Sequence, residues 1–423
     1  MRIVYIATYG PRKCGIATFT GNKFLGMNCS PEKGKNEGMV VAMNDGEHIY
    51  DYPEEVKCII HRDKPGDYIA AANFINESNA DICILEHEFG IFGGPDGDYI
   101  LSLLERLRIP FMAVLHTVLK TPSPHQKKVT VNIAALAAKT VVMNNKAVEF
   151  LTTAYGIPAE RTAIIEHGIP DFEFDKDNIK KELGLEGKCI LLTFGLISRN
   201  KGIETVIKAL PPVVAIHPET VYIILGKTHP SVAEHSGEEY REYLKTLSRE
   251  SGIEDHVMFI DEFTDEEKLF KYLSGTDIYI TPYLNEAQIT SGTLAYASGA
   301  GCAVVSTPYW HAAELLTEDK GRLFNFNDHR QLSGILNELL DNPVLLQDLR
   351  TNARAFGREV TWPKVGEKYL QLATAIIRRA SLRIAGREQR FDPGTIPTFA
   401  LDHIRRMTDD TGLFQHAKFG IPN

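Results

Sequence analysis

The segment DIYITPYLNEAQITSGTLAYASGAGCAVVST, residues 277–307, contains the pattern that decides the fold. Two apolar runs, DIYITP (277–282) and CAVVST (302–307), enclose a polar turn and a run of small residues that begins a helix. A strand, a turn, a helix and a second strand in this order predict a parallel βαβ unit.

The same order recurs along most of the chain, which predicts a parallel sheet in each half. The other predicted strands are RIVYIAT (2–8), MVVAM (39–43), DICILE (81–86), FMAVLH (111–116), KTVVMN (139–144), CILLTFG (189–195), TVYIILG (220–226) and HVMFI (256–260). Between the two sets of strands, the polar stretch DFEFDKDNIKKELGLEGK (171–188) interrupts the pattern and indicates a domain junction.

The strands predict two Rossmann-like, doubly wound α/β domains that face each other across a cleft. We place the first domain over residues 1–172 and the second over 173–357, followed by a helix over 358–380 that packs back on the first domain. Residues 381–423 depart from the pattern, apart from a short helix near 400–408. We interpret them as a tail or as the start of a further module.

Composition excludes several classes of protein. The chain has 423 residues, of which 43% are apolar and 24% are charged, as in ordinary globular proteins of more than one domain. A formal net charge of -9 disfavours nucleic-acid binding. The apolar start of the chain is too short for a signal peptide, and the sequence has no apolar run long enough for a membrane helix, so we expect a cytoplasmic protein without an integral membrane segment.

Six cysteines lie far apart in the sequence and form no CxxC pair. This spacing suggests neither a zinc site nor a disulfide framework. We expect reduced cysteines that pack as small apolar residues. They are Cys14, Cys29, Cys58, Cys83, Cys189 and Cys302.

The first strand runs into a loop of glycine and proline, TYGPRKCGIATFTGNKF (8–24), that opens a helix near Ile16. Free backbone amides at a helix N-terminus favour an anion, and we expect Gly15 to lie against a phosphate or a sugar. The loop is not a GxGxxG motif, and a purely structural need for small residues in a βα turn explains it equally well.

In the second half, LISRNKGIETVIKAL (196–210) places Arg199 and Lys201 two residues apart, past a strand end and before a long helix. A guanidinium and an ammonium at this position suit a diphosphate. The alternative is a solvated turn with two ordinary surface cations.

The order of strand, proline, Glu286, glycine-bearing helix start, small residues and apolar strand in 277–307 resembles the nucleotide-sugar site of the fourth sequence family of retaining glycosyltransferases, the glycosyl transferases group 1, which have the GT-B fold. The resemblance extends over roughly residues 1–380. The other segments that carry it are HEFGIFGG (87–94), VLHT (114–117), EHGIPD (166–171), SRNKG (198–202), WHAAELL (310–316) and GRLFNFND (321–328).

By this resemblance, Arg199 and Lys201 would hold the diphosphate, and Glu286 would accept hydrogen bonds from hydroxyls of the donor sugar. His116 would lie beside the reacting sugar, although a histidine at a strand end is also often purely structural. Ser291, Gly292 and Thr293 would supply amides and hydroxyls at a helix start.

The resemblance implies transfer of a hexosyl group, with retention, from a nucleoside-diphosphate sugar such as GDP-mannose or UDP-glucose to a carbohydrate or glycoconjugate acceptor. No cofactor beyond the nucleotide sugar is implied, and no protein nucleophile is required. The first domain would then lie on the acceptor side, and the second would bind the nucleotide sugar.

One position departs from the family. Leu294 stands where the family usually has a second glutamate that binds the ribose, and leucine cannot accept a hydrogen bond. A noncatalytic nucleotide-sugar-binding protein with a decayed donor site is therefore the alternative function. A Rossmann-type oxidoreductase is disfavoured because GxGxxG is absent after the first strand.

Several metal-like patterns are interpreted as structural. Asp96 and Asp98, and likewise Asp175 and Asp177, form DxD patterns in polar turns, where we expect solvated carboxylates. HEFGI (87–91) lacks the second histidine of the HExxH zinc motif, and we predict no catalytic metal.

Two further groups of residues are left with two interpretations each. His87 and Glu88 either reach the cleft or make structural hydrogen bonds. The arginines near the C-terminus either contact lipid headgroups or a partner, or form a solvated helix end before a linker. They are Arg378, Arg379, Arg383, Arg387 and Arg390.

Overall fold

A computed structural model describes residues 1–28, 36–46, 50–172, 175–316 and 319–388. The described part contains two parallel sheets. The first has the strand order β3-β2-β1-β4-β5-β6-β7. Its strands are β1 (Arg2–Ala7), β2 (Glu37–Asn44), β3 (Val56–His61), β4 (Ile82–His87), β5 (Phe111–Leu115), β6 (Lys139–Val142) and β7 (Thr162–Ile164).

The second sheet has the order β10-β9-β8-β11-β12-β13, and every pairing in both sheets is parallel. Its strands are β8 (Cys189–Phe194), β9 (Thr220–Leu225), β10 (Val257–Ile260), β11 (Ile278–Thr281), β12 (Ala303–Ser306) and β13 (Gly321–Leu323). Two parallel, doubly wound sheets confirm the predicted fold class.

Helices lie between most consecutive strands in the described part of the chain, with β2 and β3 as an exception. Those of the first half are α1 (Gly15–Asn28), α2 (Pro65–Glu77), α3 (Ile100–Leu104), α4 (Pro124–Leu136) and α5 (Asn145–Thr153). Those of the second half are α6 (Lys176–Glu182), α7 (Ile203–Ile216), α8 (Pro230–Ser236), α9 (Glu239–Glu250), α10 (Glu266–Gly275), α11 (Gly292–Gly299), α12 (Trp310–Leu315), α13 (His329–Asp341), α14 (Pro343–Glu359) and α15 (Trp362–Glu388).

Every predicted strand is present, with ends that differ by one to two residues, but three strands were missed. They are β3, β7 and β13, and each lies at the edge of its sheet. Their residues are only partly buried, whereas β4, β5 and β9 are buried along their whole length. A half-exposed edge strand lacks the continuous apolar run by which the central strands were recognised.

Each sheet is covered by its own hydrophobic core. In the first half, Val4 and Leu85 pack with residues of α2 and α4 such as Ala71 and Ile133. In the second half, residues such as Leu191 and Ile280 belong to a separate cluster. Each half of the chain therefore folds around a core of its own.

The polar stretch between the two halves is not irregular throughout, because α6 forms within it. Asp175 accepts hydrogen bonds from the backbone amides of Asp177 and Asn178 and so caps this helix. Lys180 then pairs with Asp277 at the start of β11, with 2.7 Å between Nζ and Oδ2. This helix therefore packs against the second sheet.

The single helix predicted over 358–380 is interrupted, because α14 ends at Glu359 and α15 begins at Trp362. At this interruption, the backbone carbonyl of Ile169 accepts a hydrogen bond from the Trp362 amide at 2.8 Å. The start of α15 lies against the first half, where Lys368 bonds Glu166 at 2.7 Å and a Cβ on Gly168 would collide with the Trp362 ring.

The chain divides into two compact units, Met1–Ala373 and Thr374–Asn423. The structure describes the second unit only as far as Glu388, so the short helix predicted near 400–408 lies outside the described residues. Cys29, Arg390 and the side chains of Arg383 and Arg387 also lie outside them. Within the described ranges, none of the helices combines the length and apolarity needed to cross a bilayer.

The cysteines that the structure describes are unpaired thiols. Cys83 and Cys302 are buried, whereas Cys14, Cys58 and Cys189 are half-buried. Burial raises the pKa of the Cys189 thiol to about 12 and that of the Cys302 thiol to about 12. These thiols pack as apolar groups and do not ionise near neutral pH.

Candidate active site

The carboxyl ends of the two sheets meet at a cavity of about 430 Å³, which we call the Lys201 cavity. The first half contributes residues that follow β1, and the second half contributes residues that follow β8, β9 and β10. Ligands of open α/β sheets bind at this edge. The polar and small residues that line it include Gly15, Thr18, Lys201, Lys227, Glu262, Gly292 and Thr293.

Gly15 is the first residue of α1 and lines this cavity. A Cβ placed on Gly15 would meet no other atom within 4 Å, so packing inside the protein does not require a glycine here. A small residue at this helix start leaves the backbone amides open to a ligand. Gly15 therefore lies at the cavity, where a ligand could contact it, and its contact with a phosphate or sugar stays a prediction.

Lys201 lines the cavity and is held by Tyr283, with 2.6 Å between Lys201 Nζ and the phenol oxygen and 4.2 Å between Nζ and the ring centroid. Burial raises the pKa of Tyr283, but the Lys201 ammonium more than offsets burial and brings this pKa to about 8. Tyr283 also stacks on Tyr309, with 4.7 Å between the ring centroids. These contacts orient the ammonium before any ligand binds.

The turn that carries Lys201 depends on Gly202. Gly202 has φ 64°, and a Cβ there would collide with the carbonyl oxygen of Pro282. A glycine is needed for the positive φ and for the close approach to the end of β11. The motif SRNKG thus brings Lys201 next to the residues that follow β11.

Arg199 does not line the Lys201 cavity. Its guanidinium bonds Glu239 at 2.7 Å and lies 5.4 Å from the ring centroid of Tyr240, and its side chain is 59% exposed. The structure therefore separates the two cations that the sequence placed together. The predicted role of Arg199 at the diphosphate would require its side chain to leave Glu239.

The start of α11 is a tightly bonded turn. Ser291 is buried, its hydroxyl accepts from the Leu294 amide at 3.3 Å, and its own amide donates to His311 Nδ1 at 2.9 Å. Burial lowers the pKa of His311 to about 3, so its neutral ring can accept this bond. Gly292 and Thr293 line the cavity beside this turn.

Leu294 is fully buried within α11. It does not line the Lys201 cavity, so at this position the helix contributes to the core and not to a ligand contact.

His116 and Glu286 lie together at a second cavity of about 370 Å³, which we call the His116 cavity. Residues 116–121 and 286–289 line it together with Trp310. Glu286 bonds Lys120 at 3.2 Å, and both side chains are more than half exposed. Apart from Arg199 and Ser291, the predicted site residues thus line two cavities, one with Lys201 and one with His116.

Sequence reasoning missed residues at and beside the Lys201 cavity. Tyr283 follows a predicted strand directly, and Lys227 follows β9, so position after a strand end was an available signal for both. His167 lines the Lys201 cavity and would lie 3.2 Å from a Cβ on Gly292. Burial lowers the pKa of His167 to about 4, so this imidazole is neutral and its Nδ1 donates to the Gly168 carbonyl at 2.7 Å.

The aspartates of the DxD patterns have partners within the protein. Asp96 bonds His125 Nδ1 at 3.0 Å, and Asp98 lies 3.5 Å from Nε2 of the same ring, so these carboxylates are not simply solvated. In the part of the chain that the structure describes, there is no group of three or more His, Cys, Asp or Glu side chains arranged to hold a metal ion.

His87 is fully buried beside Phe89, and burial lowers its pKa to about 4. Glu88 accepts from the Thr117 hydroxyl at 2.5 Å and caps the turn at Phe89. Glu88 therefore makes structural hydrogen bonds. The ring nitrogens of His87 have no hydrogen-bond partner among the described residues, so His87 packs as a buried ring and the expected structural hydrogen bonds are absent there.

Comparisons with known proteins agree with this architecture. Residues 175–356 match the family model described as glycosyl transferases group 1. Among solved structures, HepE of Anabaena in complex with UDP has a TM-score of 0.69 and 17% identity, and the match covers 89% of this chain and all of HepE. The complex of HepE with UDP-glucose has a TM-score of 0.66.

Two curated relatives match about half of this chain. Spore coat protein SA of Bacillus subtilis is 24% identical over 201 residues, which are 47% of this chain and 52% of that protein. A mannosyltransferase of Corynebacterium glutamicum, named as GDP-mannose-dependent and as acting on a monoacylated phosphatidylinositol monomannoside, is 26% identical over 202 residues, or 46% of this chain and 49% of that protein. This chain therefore spans about half the length of these relatives.

The protein has the GT-B fold, with a cleft that both halves line. The match of residues 175–356 to the glycosyl transferases group 1 model agrees with the resemblance seen in the sequence motifs.

Proposed function

We propose that this protein is a retaining, metal-independent glycosyltransferase that moves a hexosyl group from a nucleoside-diphosphate sugar to a carbohydrate or glycoconjugate acceptor. The observation that carries the proposal is the Lys201 cavity. There, an ammonium fixed by Tyr283 lies in one cleft with two helix starts, at Gly15 and Gly292, that come from opposite halves of the protein.

The chemistry follows from the charge that develops as the bond to the donor sugar breaks. The nucleoside diphosphate leaves with additional negative charge, and the acceptor hydroxyl attacks the same face of the sugar while losing its proton. Lys201 and the amides at the helix starts stabilise the leaving group, and such preorganised contacts contribute about 3 kcal/mol each. Closure of the cleft would exclude water.

For the donor we propose GDP-mannose ahead of UDP-glucose. The relative in Corynebacterium glutamicum is named as GDP-mannose-dependent, whereas HepE was solved with UDP and with UDP-glucose. Neither relationship is close, so the two donors are compared directly in the experiment below.

A noncatalytic nucleotide-sugar-binding protein is the second candidate, and the observation that favours it is the buried Leu294. Leu294 is buried in the protein core and cannot accept a hydrogen bond from a ribose. The ribose would have to bind another group, such as Thr293 or Glu262, which both line the Lys201 cavity. Donor binding can survive this change even where turnover does not.

The experiment incubates the protein with GDP-mannose or UDP-glucose in excess chelator and measures nucleoside diphosphate release. Thermal shifts with GDP and UDP are measured in parallel, because a ligand that binds only the native state raises the melting temperature. A transferase releases diphosphate slowly to water and yields the sugar with retained anomeric configuration, which NMR of fresh product detects.

Three outcomes separate the candidates. Diphosphate release in chelator supports the transferase. A thermal shift without any release supports the binding protein. Release that disappears in chelator and returns with manganese or magnesium contradicts metal independence.

A further inference from the structure

Beneath the His116 cavity, three titratable side chains from three elements form a buried chain, which we call the Lys23 cluster. Lys23 of α1 contacts Glu86 Oε1, and the other carboxylate oxygen lies 2.9 Å from His116 Nε2. The side chains of Lys23 and Glu86 are 0% exposed and that of His116 is 8% exposed. Charged groups this deeply buried are uncommon unless they are paired.

Aromatic rings surround the ammonium of Lys23. Its Nζ lies 4.5 Å from the ring centroid of Tyr369 and 5.4 Å from that of Phe19. Phe19 also packs edge-on against the His116 ring, with 4.7 Å between the centroids. The same ring thus separates Lys23 and His116 from the Lys201 cavity, which Phe19 lines.

The proton count of the cluster follows from its contacts. Lys23 donates to Glu86, and an ammonium paired with a carboxylate carries no net charge. Burial lowers the pKa of Lys23, and transfer of its proton to Glu86 would leave the pair neutral as well. His116 therefore faces a neutral pair. Glu86 Oε2 accepts a hydrogen bond from His116 Nε2. The hydrogen of the neutral His116 ring therefore lies on Nε2, and its Nδ1 is an acceptor.

The other titratable groups near the cluster also favour a neutral His116. Burial is the main cause that lowers its pKa, followed by the charge of Lys23 and by His167 and His87. Tyr5 and Tyr369, which face Lys23, have pKa values raised by burial and stay protonated. Across the His116 cavity, Glu286 and Lys120 pair with each other.

We propose that Glu86 and Lys23 are positioning residues that hold His116 in one neutral tautomer, so that its Nδ1 accepts a hydrogen bond from a hydroxyl of the sugar in the His116 cavity. Glu86 selects the tautomer, and Lys23 cancels the charge that would otherwise draw a second proton onto the ring. The role of the sugar rests on the proposed function, whereas the tautomer does not.

Removing Lys23 makes a specific prediction. Without its proton, the Glu86 and His116 pair takes one from solvent, which either charges the imidazole or protonates Glu86 and shifts the imidazole hydrogen to Nδ1. In both arrangements Nδ1 ceases to be an acceptor. A residue with a merely structural role would not change the protonation of His116.

The test compares Lys23→Met with the wild type and with Lys180→Met. Lys180→Met serves as the control because Lys180 also pairs with a buried carboxylate, Asp277, which is not bonded to a histidine and keeps Lys176 as a second partner. Ring nitrogen shifts of His116 are followed by NMR between about pH 5.5 and about pH 7.5, the range in which imidazoles commonly titrate. The His116→Gln variant assigns the resonance.

We expect the neutral form with its hydrogen on Nε2 throughout this range in the wild type and in Lys180→Met. In Lys23→Met this form should be lost as the pH falls. The rate of donor hydrolysis by Lys23→Met is divided by the rate of the wild type at each pH. This ratio should fall about tenfold from the upper to the lower end of the pH range. For Lys180→Met this ratio should stay constant.

An unchanged His116 spectrum in Lys23→Met, or a titrating His116 in the wild type, would overturn the proposal. If Lys23→Met does not fold, the double variant Lys23→Met with Glu86→Gln removes both charges at nearly constant volume. It should keep His116 neutral but lose the preference for Nε2, and a retained preference would contradict the role of Glu86. Expected NMR results without any donor hydrolysis would refute the proposed function alone.

Discussion

The two cavities of the cleft differ in the burial of their lysine side chains. At the Lys201 cavity, a cation lies at the ligand surface beside open helix starts, where it can meet an anion directly. Beneath the His116 cavity, the cation Lys23 is buried, paired and enclosed by rings, and it can act only through Glu86 and His116. In the proposals above, the same residue type therefore serves binding in one place and control of protonation in the other, and burial is what distinguishes the two places.

The largest expected effect is that of Lys201→Ala. This change removes the cation at the proposed diphosphate site, and we expect kcat/KM for donor hydrolysis to fall about 100-fold or more. The melting temperature should change little. Lys208, an exposed lysine of α7, gives the matched control Lys208→Ala, which should keep wild-type activity. Turnover of Lys201→Ala within threefold of wild type would remove Lys201 from the site.

The second effect concerns the other cavity. Glu286→Gln keeps the volume and one acceptor but loses the charge, so a carboxylate that orients the sugar should lose about tenfold or more in kcat. Its ion pair with Lys120 is exposed and contributes little stability. Glu242→Gln, which breaks the exposed pair with Lys245, is the control. A lower melting temperature with unchanged specific activity would identify Glu286 as structural.

The third effect is a pH dependence at the Lys201 cavity. Above about pH 8, Tyr283 becomes a phenolate that neutralises Lys201, so diphosphate affinity should fall as the pH rises through this value. Tyr283→Phe should abolish this fall while losing part of the activity, because Lys201 is less well oriented. Isothermal titration with GDP or UDP at several pH values measures it, and equal pH dependence in both proteins would exclude Tyr283 as the cause.

Tyr283 also makes a prediction for folding. Its folded pKa is lower than that of an unfolded tyrosine, so the corresponding stability is fully present above about pH 10 and disappears as the pH falls through about 8. The free energy of unfolding of the wild type, measured with denaturant, should therefore rise relative to that of Tyr283→Phe as the pH rises from about 8 to about 10. A constant difference would contradict the depressed pKa.

The smallest effect is expected for Arg199→Ala. The sequence predicts that Arg199 and Lys201 matter equally, but the guanidinium bonds Glu239 away from the cavity. Because this side chain does not line the Lys201 cavity, we expect at most about a threefold change in kcat/KM. Loss of the exposed ion pair should lower stability by no more than about 1 kcal/mol. A loss as large as that of Lys201→Ala would show that Arg199 turns into the cleft when the donor binds.

Much of this architecture was accessible from the sequence because buried parallel strands require continuous apolar runs. The predicted runs that end at Thr8, Gly195 and Pro282 placed Gly15, Lys201 and Glu286 near the carboxyl edges of the sheets. The edge strand Val56–His61 was not recognised because only one of its residues is fully buried. Edge strands have one pairing partner and less cover, so their composition resembles that of loops.

The candidate site was predicted less completely than the fold. Position after a strand end places a residue near the cleft but not its side chain, as Arg199 and Lys201 show. Lys23 lies within a helix, and nothing in its neighbours along the chain indicates that it reaches Glu86, which is distant in sequence. Contacts of this kind depend on how α1 packs on the sheet, which local patterns do not contain.

By itself, the sequence determined the two parallel sheets, the edge at which ligands bind and the helix starts at Gly15 and Gly292, because these depend on apolar periodicity and on small residues next to strand ends. Only the tertiary structure decided that Lys201 meets Tyr283, that Leu294 belongs to the core and that His116 rests on a buried pair. Side-chain direction and protonation depend on neighbours brought together by packing, and those neighbours come from distant parts of the chain.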